Sequence, residues 1–137
     1  MARSTTAGQQ AVTRAGSYDA SAAREMLDIM GCGTPQVLTG NTDAISFPGT
    51  TFLNSSSLDA CTLAAPAAGA QPVGDDGKTV EIVDASGKLH TVTTPTNAVA
   101  NSKHILTWNG TIGSNIILQA WNGVWYPMGT PSGVAIT

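Results

Sequence analysis

The chain has 137 residues, of which 42% are hydrophobic and only 11% charged, about half the usual charged share, with a formal net charge of −3. That length suits one domain with a real core plus an arm, and six Lys and Arg spread thinly exclude a basic stripe that could track phosphates, so nucleic acid is not an expected partner. No run of about 18 apolar residues occurs and residues 1–10 are polar, so neither a membrane partner nor a secretory signal is expected, and the chain is expected to be made in a cytosol-like compartment.

Residues 1–16 (MARSTTAGQQAVTRAG) are small, polar and aperiodic, with Arg3 and Arg14 as the charged side chains. Such a segment buries too little apolar area to offset the entropy of ordering it, and reads either as a floppy terminus or as a strap that lies down on a partner. Residues 17–30 (SYDASAAREMLDIM) are the helix candidate. Ser17, Asp19 or Ser21 can cap its start and Gly31 and Gly33 can stop it, while Ala23, Met26, Leu27 and Met30 form an apolar stripe at helical spacing. Residues 31–54 mix Gly, Pro and Thr with short apolar pieces at 36–38 and 44–47. Pro35 and Pro48 forbid central-strand ladders at those points, so a linker followed by an edge strand is expected.

From Ser57 the rhythm is that of short strands. Residues 58–64 form one candidate, and 64–78 (AAPAAGAQPVGDDGK) a long connection. Residues 79–84 (TVEIVD) alternate with Val80 and Ile82 inward, and a turn at Ala85-Ser86-Gly87 leads to 88–94 (KLHTVTT), which predicts a hairpin closed off by Pro95. Residues 104–108 (HILTW) pass through 109–114 into the most strongly marked stretch, 115–128 (NIILQAWNGVWYPM). Asn122-Gly123 between β-formers is the signal of a two-residue type I′ turn, because both positions need positive φ. Ile116, Leu118 and Ala120 alternate with Ile117, Gln119 and Trp121, and Val124 and Tyr126 with Trp125, so both faces of this hairpin are apolar. Trp108, Ile117, Trp121, Trp125 and Tyr126 are the expected core or subunit-interface residues, and 133–137 a last short strand. Regularly spaced short strands with turn signals between them predict a mainly β fold, an antiparallel sandwich, jelly roll or small barrel.

No reaction is specified by this pattern. Asp84, Ser86 and His90 contain the residue types of a nucleophilic triad, but Ser86 reads as an exposed turn residue without an oxyanion hole or a buried orienting carboxylate, so turn residues plus a strand histidine is the simpler reading. His90, His104, Asp75 and Asp76 lack close-spaced ligand pairs, and Asp75-Asp76-Gly77-Lys78 lacks the alternating oxygens and distal Glu of a calcium loop. No catalytic, metal or cofactor residues are therefore expected. Cys32 and Cys61 are taken as free thiols.

Four pieces, taken in order, carry a resemblance: Leu58-Asp59-Ala60-Cys61-Thr62-Leu63-Ala64-Ala65-Pro66, Asp75-Asp76-Gly77-Lys78, His90-Thr91-Val92-Thr93-Thr94-Pro95 and Trp121-Asn122-Gly123-Val124-Trp125-Tyr126. Together they resemble, over residues 57–128, a β-domain of tailed-bacteriophage structural proteins, namely head decoration or cement proteins and related fibre-anchoring modules. The resemblance implies a jelly-roll or sandwich unit, often trimeric, on the outside of a capsid, with the major capsid protein as partner and no catalytic residues. It also implies a virion location after synthesis in the host cytoplasm.

The domain plan expected on this reading is a capsid-attaching arm with a short helix over 1–45 and a β-domain over 46–137. Arg3, Gln9, Arg14, Tyr18, Met26 and Met30 are the expected capsid contacts, an assignment drawn from the composition of the arm, since a segment that orders on binding can wrap a large surface. The alternative of a different class is a receptor- or glycan-binding module of a tail fibre, for which Trp108, Trp121 and Trp125 should all be exposed. A small hydrolase using Ser86 and His90 is the remaining alternative.

Overall fold

The structure, a computed structural model, describes residues 33–137. The chain divides into two compact units, Met1–Thr34 and Pro35–Thr137, the boundary falling upstream of the one expected after residue 45 because the strand at 36–38 pairs within the second unit. The expected helix at 17–30, the arm, Cys32 and the six proposed capsid contacts (Arg3, Gln9, Arg14, Tyr18, Met26 and Met30) lie outside the described residues.

The second unit is mainly β. Its strands are β1 (Gln36–Leu38), β2 (Gly49–Leu53), β3 (Ala60–Thr62), β4 (Thr79–Asp84), β5 (Thr91–Thr93), β6 (Ile105–Trp108), β7 (Asn115–Trp121), β8 (Val124–Pro127) and β9 (Val134–Ile136). Five of them form one sheet in the order β1-β2-β4-β7-β8, and four form another in the order β3-β5-β6-β9. Both sheets are mixed, which corrects the antiparallel expectation. β1 with β2, β2 with β4, and β3 with β5 run parallel; the other neighbours are antiparallel. The reason lies in the path of the chain. After β2 it enters the second sheet for β3 and returns beside β2 as β4, and such a return by crossover brings a strand back in the same direction.

The same path overturns the second hairpin expected around residues 85–87. β4 lies between β2 and β7 in the first sheet, whereas β5 lies between β3 and β6 in the second, so residues 85–90 form an arc between sheets. Strand β2 also replaces the expected edge strand: β1 is the edge, and Pro48 stands just outside the ladder, where its missing N–H costs no sheet bond. The candidate at 58–64 contracts to β3, whose outer edge is covered by the bridge of Ala44 to Thr62.

Strict alternation sets the core. On β4, Val80, Ile82 and Asp84 are buried; on β7, Ile116, Leu118 and Ala120 are buried; on β8, Trp125 is. Opposite them the second sheet contributes Cys61, Val92, Leu106 and Trp108, and the buried faces of both sheets belong to one hydrophobic cluster. The two buried indoles are satisfied: Trp108 Nε1 donates to Ser114 O at 3.1 Å and Trp125 Nε1 to Ala64 O at 2.9 Å. Phe47 packs edge-on against Trp125 with ring centroids 4.8 Å apart. Buried aromatics whose polar atoms have partners give their full area to the core without a desolvation penalty.

The β7–β8 hairpin forms as read, with Trp121 paired to Val124 across the turn and positive φ at Asn122 (50°) and Gly123 (81°). The expected last strand is β9, paired to β6. Among the described residues, no helix is long and apolar enough to cross a membrane.

Candidate functional site

Two places in the second unit carry more than packing: a buried polar cluster at one end of the sheets, and the outer face of the five-stranded sheet.

The cluster contains the three residues weighed as a triad. The structure brings them together, since Ser86 Oγ lies 2.8 Å from His90 Nε2 and Asp84 Oδ1 lies 3.5 Å from the same nitrogen. Asp84 and His90 are fully buried, which corrects the expectation that no carboxylate is sequestered there. The wiring, however, is not that of a nucleophilic triad. His90 Nδ1 accepts the Asp59 backbone N–H at 3.1 Å, so this nitrogen carries no proton and the neutral ring carries its hydrogen on Nε2. That hydrogen points at Ser86 Oγ, which therefore accepts from the ring and cannot pass its own proton to it. In a triad the acid and the nucleophile occupy opposite ring nitrogens; here both share one. The Ser86 and Gly87 N–H groups, the nearest candidates for an oxyanion hole, donate to Asp84 Oδ1 at 2.9 and 2.7 Å. This hydrogen-bond set makes a brace across three segments, joining the approach to β3, the end of β4 and the start of β5.

The brace has a cost. Both carboxylate oxygens of Asp59 and the Oδ2 of Asp84 are buried without a hydrogen-bond partner. Burial, opposed by the nearby Cys61 thiol and His90 and reinforced by Asp43, pushes the Asp59 carboxyl above its ordinary range, so this group takes up a proton more readily than a solvated aspartate. Burial, then Asp59 and Asp43, push the Cys61 thiol up to about 12, which makes it a free but unreactive thiol.

The outer face is built by the residues that alternate with the core. Cross-strand register sets Val37, Phe52, Val83 and Asn115 in one row, and Thr50, Glu81 and Ile117 in the next. Met128 continues the second row by donating its N–H to Ile117 O. Thr79, Gln119 and Tyr126 form a third row, and Trp121 with Val124 closes the face at the hairpin tip. Trp121 is 59% exposed and Tyr126 40%, and their rings meet edge to face with centroids 6.3 Å apart. Ile117, Met128 and Val37 are exposed too.

The five residues expected in the core or at a subunit interface thus divide. Trp108 and Trp125 are core; Ile117, Trp121 and Tyr126 lie on the outer face. Burial of Trp108 and Trp125 also removes the condition set for the glycan-binding alternative, that all three indoles be exposed. Glu81, Met128 and Val37 were missed as surface residues, although the alternation that buries Val80 and Ile82 already turns Glu81 outward.

The Asp75-Asp76-Gly77-Lys78 segment is a clamp on the central hairpin. Asp75 pairs with Lys78 at 2.7 Å and accepts the Ala67 N–H, while Asp76 Oδ1 accepts the Asn122 N–H at 2.7 Å. Lys78 chiefly, with the Ala67 N–H, holds the Asp75 carboxyl below the usual range. Among the described residues, no group of three or more His, Cys, Asp or Glu side chains gathers in a way that could hold a metal ion. Comparison with family models, with curated proteins and with solved structures gave no match.

Proposed function

We propose that the chain is a virion structural protein, a decoration or cement protein that sits on the outer surface of a tailed-phage capsid, binds the major capsid protein and stabilises the head. On this reading it acts as a homotrimer, its two sheets form a jelly-roll-like sandwich, and it is made in the host cytoplasm before joining the particle. The observation that carries the reading is the outer face of the five-stranded sheet, where Trp121, Tyr126, Ile117, Met128 and Val37 are all exposed. A contiguous aromatic and aliphatic face on a monomer marks an interaction surface. The motifs behind the family resemblance support it as well, because the Asp76–Asn122 hydrogen bond ties two of them into one unit. The polar brace around His90 supports a scaffold in place of turnover, since both ring nitrogens and the Ser86 and Gly87 N–H groups are engaged within the fold.

Cement activity is mass action on an assembled shell: a protein that binds only the intact lattice raises the free energy needed to open it. The test uses particles of the encoding phage assembled without this protein. Adding the full chain back should give a fixed copy number per major capsid subunit and raise the temperature at which the particles release their contents. Failure to bind, or binding with an unchanged opening temperature, overturns the reading.

One observation favours a second reading, a glycan-binding module of a tail fibre in a narrower form that does not use Trp108 or Trp125: the exposed Trp121–Tyr126 pair offers two angled rings on which a sugar can stack. Binding of the full chain to host-surface polysaccharide, lost in Trp121→Ala, would establish it in place of the first.

A further inference from the structure

A second exposed apolar surface lies at the opposite end of β4 and β7 from the hairpin tip. Leu89 is 58% exposed and Ile112 68%, each packed over a glycine of the other's loop: a Cβ at Gly87 would lie 3.2 Å from Ile112, and one at Gly110 would lie 3.5 Å from Leu89. Leu58, also exposed, is held at the same end because the next residue, Asp59, donates to His90 and accepts from Thr91. Lys88, next to Leu89 in the same loop, is exposed and has no ion-pair partner among the described residues.

The outer face has the complementary charge. Glu81 lies between Thr50 and Ile117, beside the Val37–Phe52–Val83 row, and it too has no ion-pair partner among the described residues. It is the sole charged residue in the rows of that face. If two such faces met each other, each would bring an unpaired carboxylate into the same apolar contact, with no cation to offset its desolvation. Pairing of unlike surfaces removes that cost.

We propose that the outer sheet face of one copy receives the Leu58–Leu89–Ile112 tip of a second copy, with Lys88 of the incoming tip beside Glu81. The apolar side chains exposed on the face offer an area on the order of 500 Å2, within the range of the largest, often functional, patch of a monomer, and polar neighbours such as Gln119, Thr50 and Asn115 extend it toward the roughly 800 Å2 per partner of a standard interface. Such a contact is head to tail, and a head-to-tail contact closes into a ring when its rotation permits. A ring of three is the closure that the trimer in the proposed function requires, and on that part of the reading this inference rests. Each subunit then uses one face and one tip, so both exposed apolar surfaces are covered by a single repeated contact.

The test is a charge swap in the full chain, followed by sedimentation equilibrium at moderate salt. Glu81→Lys and Lys88→Glu should each weaken assembly about tenfold or more, and the double variant, which restores an opposite pair, should recover most of it. Trp121→Ser on the face and Ile112→Ser on the tip should each weaken assembly without a charge change. Far-ultraviolet circular dichroism and thermal midpoints check that each variant is folded, as expected for exposed positions. A monomeric wild type, single reversals that assemble like wild type, or a double variant no better than the singles would each overturn the interface. Pelleting with empty shells separates this from the cement reading. An oligomer that obeys the charge swap and ignores shells sinks that reading alone, and shell binding by a wild type whose assembly ignores the swap sinks the interface alone.

Discussion

The two ends of β4 and β7 hold the chain by different means. At the hairpin end the chain turns back within one sheet through Asn122 and Gly123, both at positive φ, and the ladder supplies the hydrogen bonds apart from one side-chain clamp, the Asn122 N–H on Asp76 Oδ1. At the other end the chain leaves β4 for the second sheet, and a two-residue turn cannot make that step. There the arc at 85–90 is held by side chains: Asp84 gathers the Ser86 and Gly87 N–H groups, and His90 reaches the Asp59 N–H and the Ser86 hydroxyl. A turn inside a sheet has its hydrogen bonds supplied by the ladder, whereas a crossing between sheets must supply its own, and this one does so with buried polar groups.

The largest effect should come from the apolar support of the hairpin end. Trp125→Ala removes a fully buried indole, its bond to Ala64 and its contact with Phe47, and should cost about 3–5 kcal/mol by urea unfolding. Trp121→Ala, four positions from it across the turn but 59% exposed, should change stability by less than about 1 kcal/mol while weakening association. Equal losses in the two variants would mean that the outer face is covered within the folded subunit.

Next comes the brace. His90→Leu keeps approximate volume but strips the Asp59 N–H of its acceptor and leaves the Ser86 hydroxyl without the ring, so a loss of about 1–3 kcal/mol is expected. Hydrogen exchange should quicken at Asp59, Ser86 and Gly87 while Trp125 stays protected. If protection falls equally at both ends, the two ends are one cooperative unit and the contrast drawn between them fails.

These two regions also mark how far residues alone reveal the architecture. Asn-Gly between alternating apolar runs was sufficient to place β7, β8 and their faces, because both the turn and the pairing are local. The arc was misread as a hairpin for the converse reason. Ala85-Ser86-Gly87 is good turn chemistry, and what sends β5 to the other sheet is the burial of Asp84 and His90 together with Asp59, a partner 31 positions from His90 that no short-range pattern indicates. Parallel pairing of β1, β2 and β4 was hidden likewise, since it depends on the excursion through β3. At the candidate surfaces, Ile117, Trp121 and Tyr126 could be named in advance as core or interface, and alternation decides which. Leu58, Leu89 and Ile112 converge only because loops from different strands meet at one end, so nothing in their spacing announces a patch.

A smaller effect tests the turn itself. Gly123→Ala places a Cβ where φ is 81°, in the left-handed region, and should cost about 1 kcal/mol or somewhat more from backbone strain, because the nearest atoms, at 3.8 Å, leave room for the methyl group. Gly87→Ala, with φ 72° but Ile112 only 3.2 Å away, should cost more than Gly123→Ala. The reverse order would show that the arc yields more easily than the hairpin, against the picture of a braced crossing.

The smallest expected effect is also the most specific to the braced end. Burial holds the Asp59 carboxyl above its ordinary range in the folded state, while in the unfolded chain it titrates near the ordinary aspartate value of 3.8. Between those two values the folded state binds the extra proton, so the derivative of unfolding free energy with pH is negative there: stability contributed by this group grows as pH falls through the folded value and levels off below the unfolded one. Above the folded value the ionised carboxylate sits buried, and the nearby Cys61 thiol and His90 offset only part of its desolvation penalty. Asp59→Asn cannot ionise, so its stability relative to the native protein should be highest near neutral pH and decline steadily on acidification toward pH 4. The absolute offset depends on how the amide is accommodated; the slope of the difference does not, because every other carboxylate is common to both proteins. Urea unfolding of the pair from pH 4 to pH 7 measures that slope directly. Parallel curves would place Asp59 in solvent, where its charge costs nothing, and would move the brace out of the protein interior.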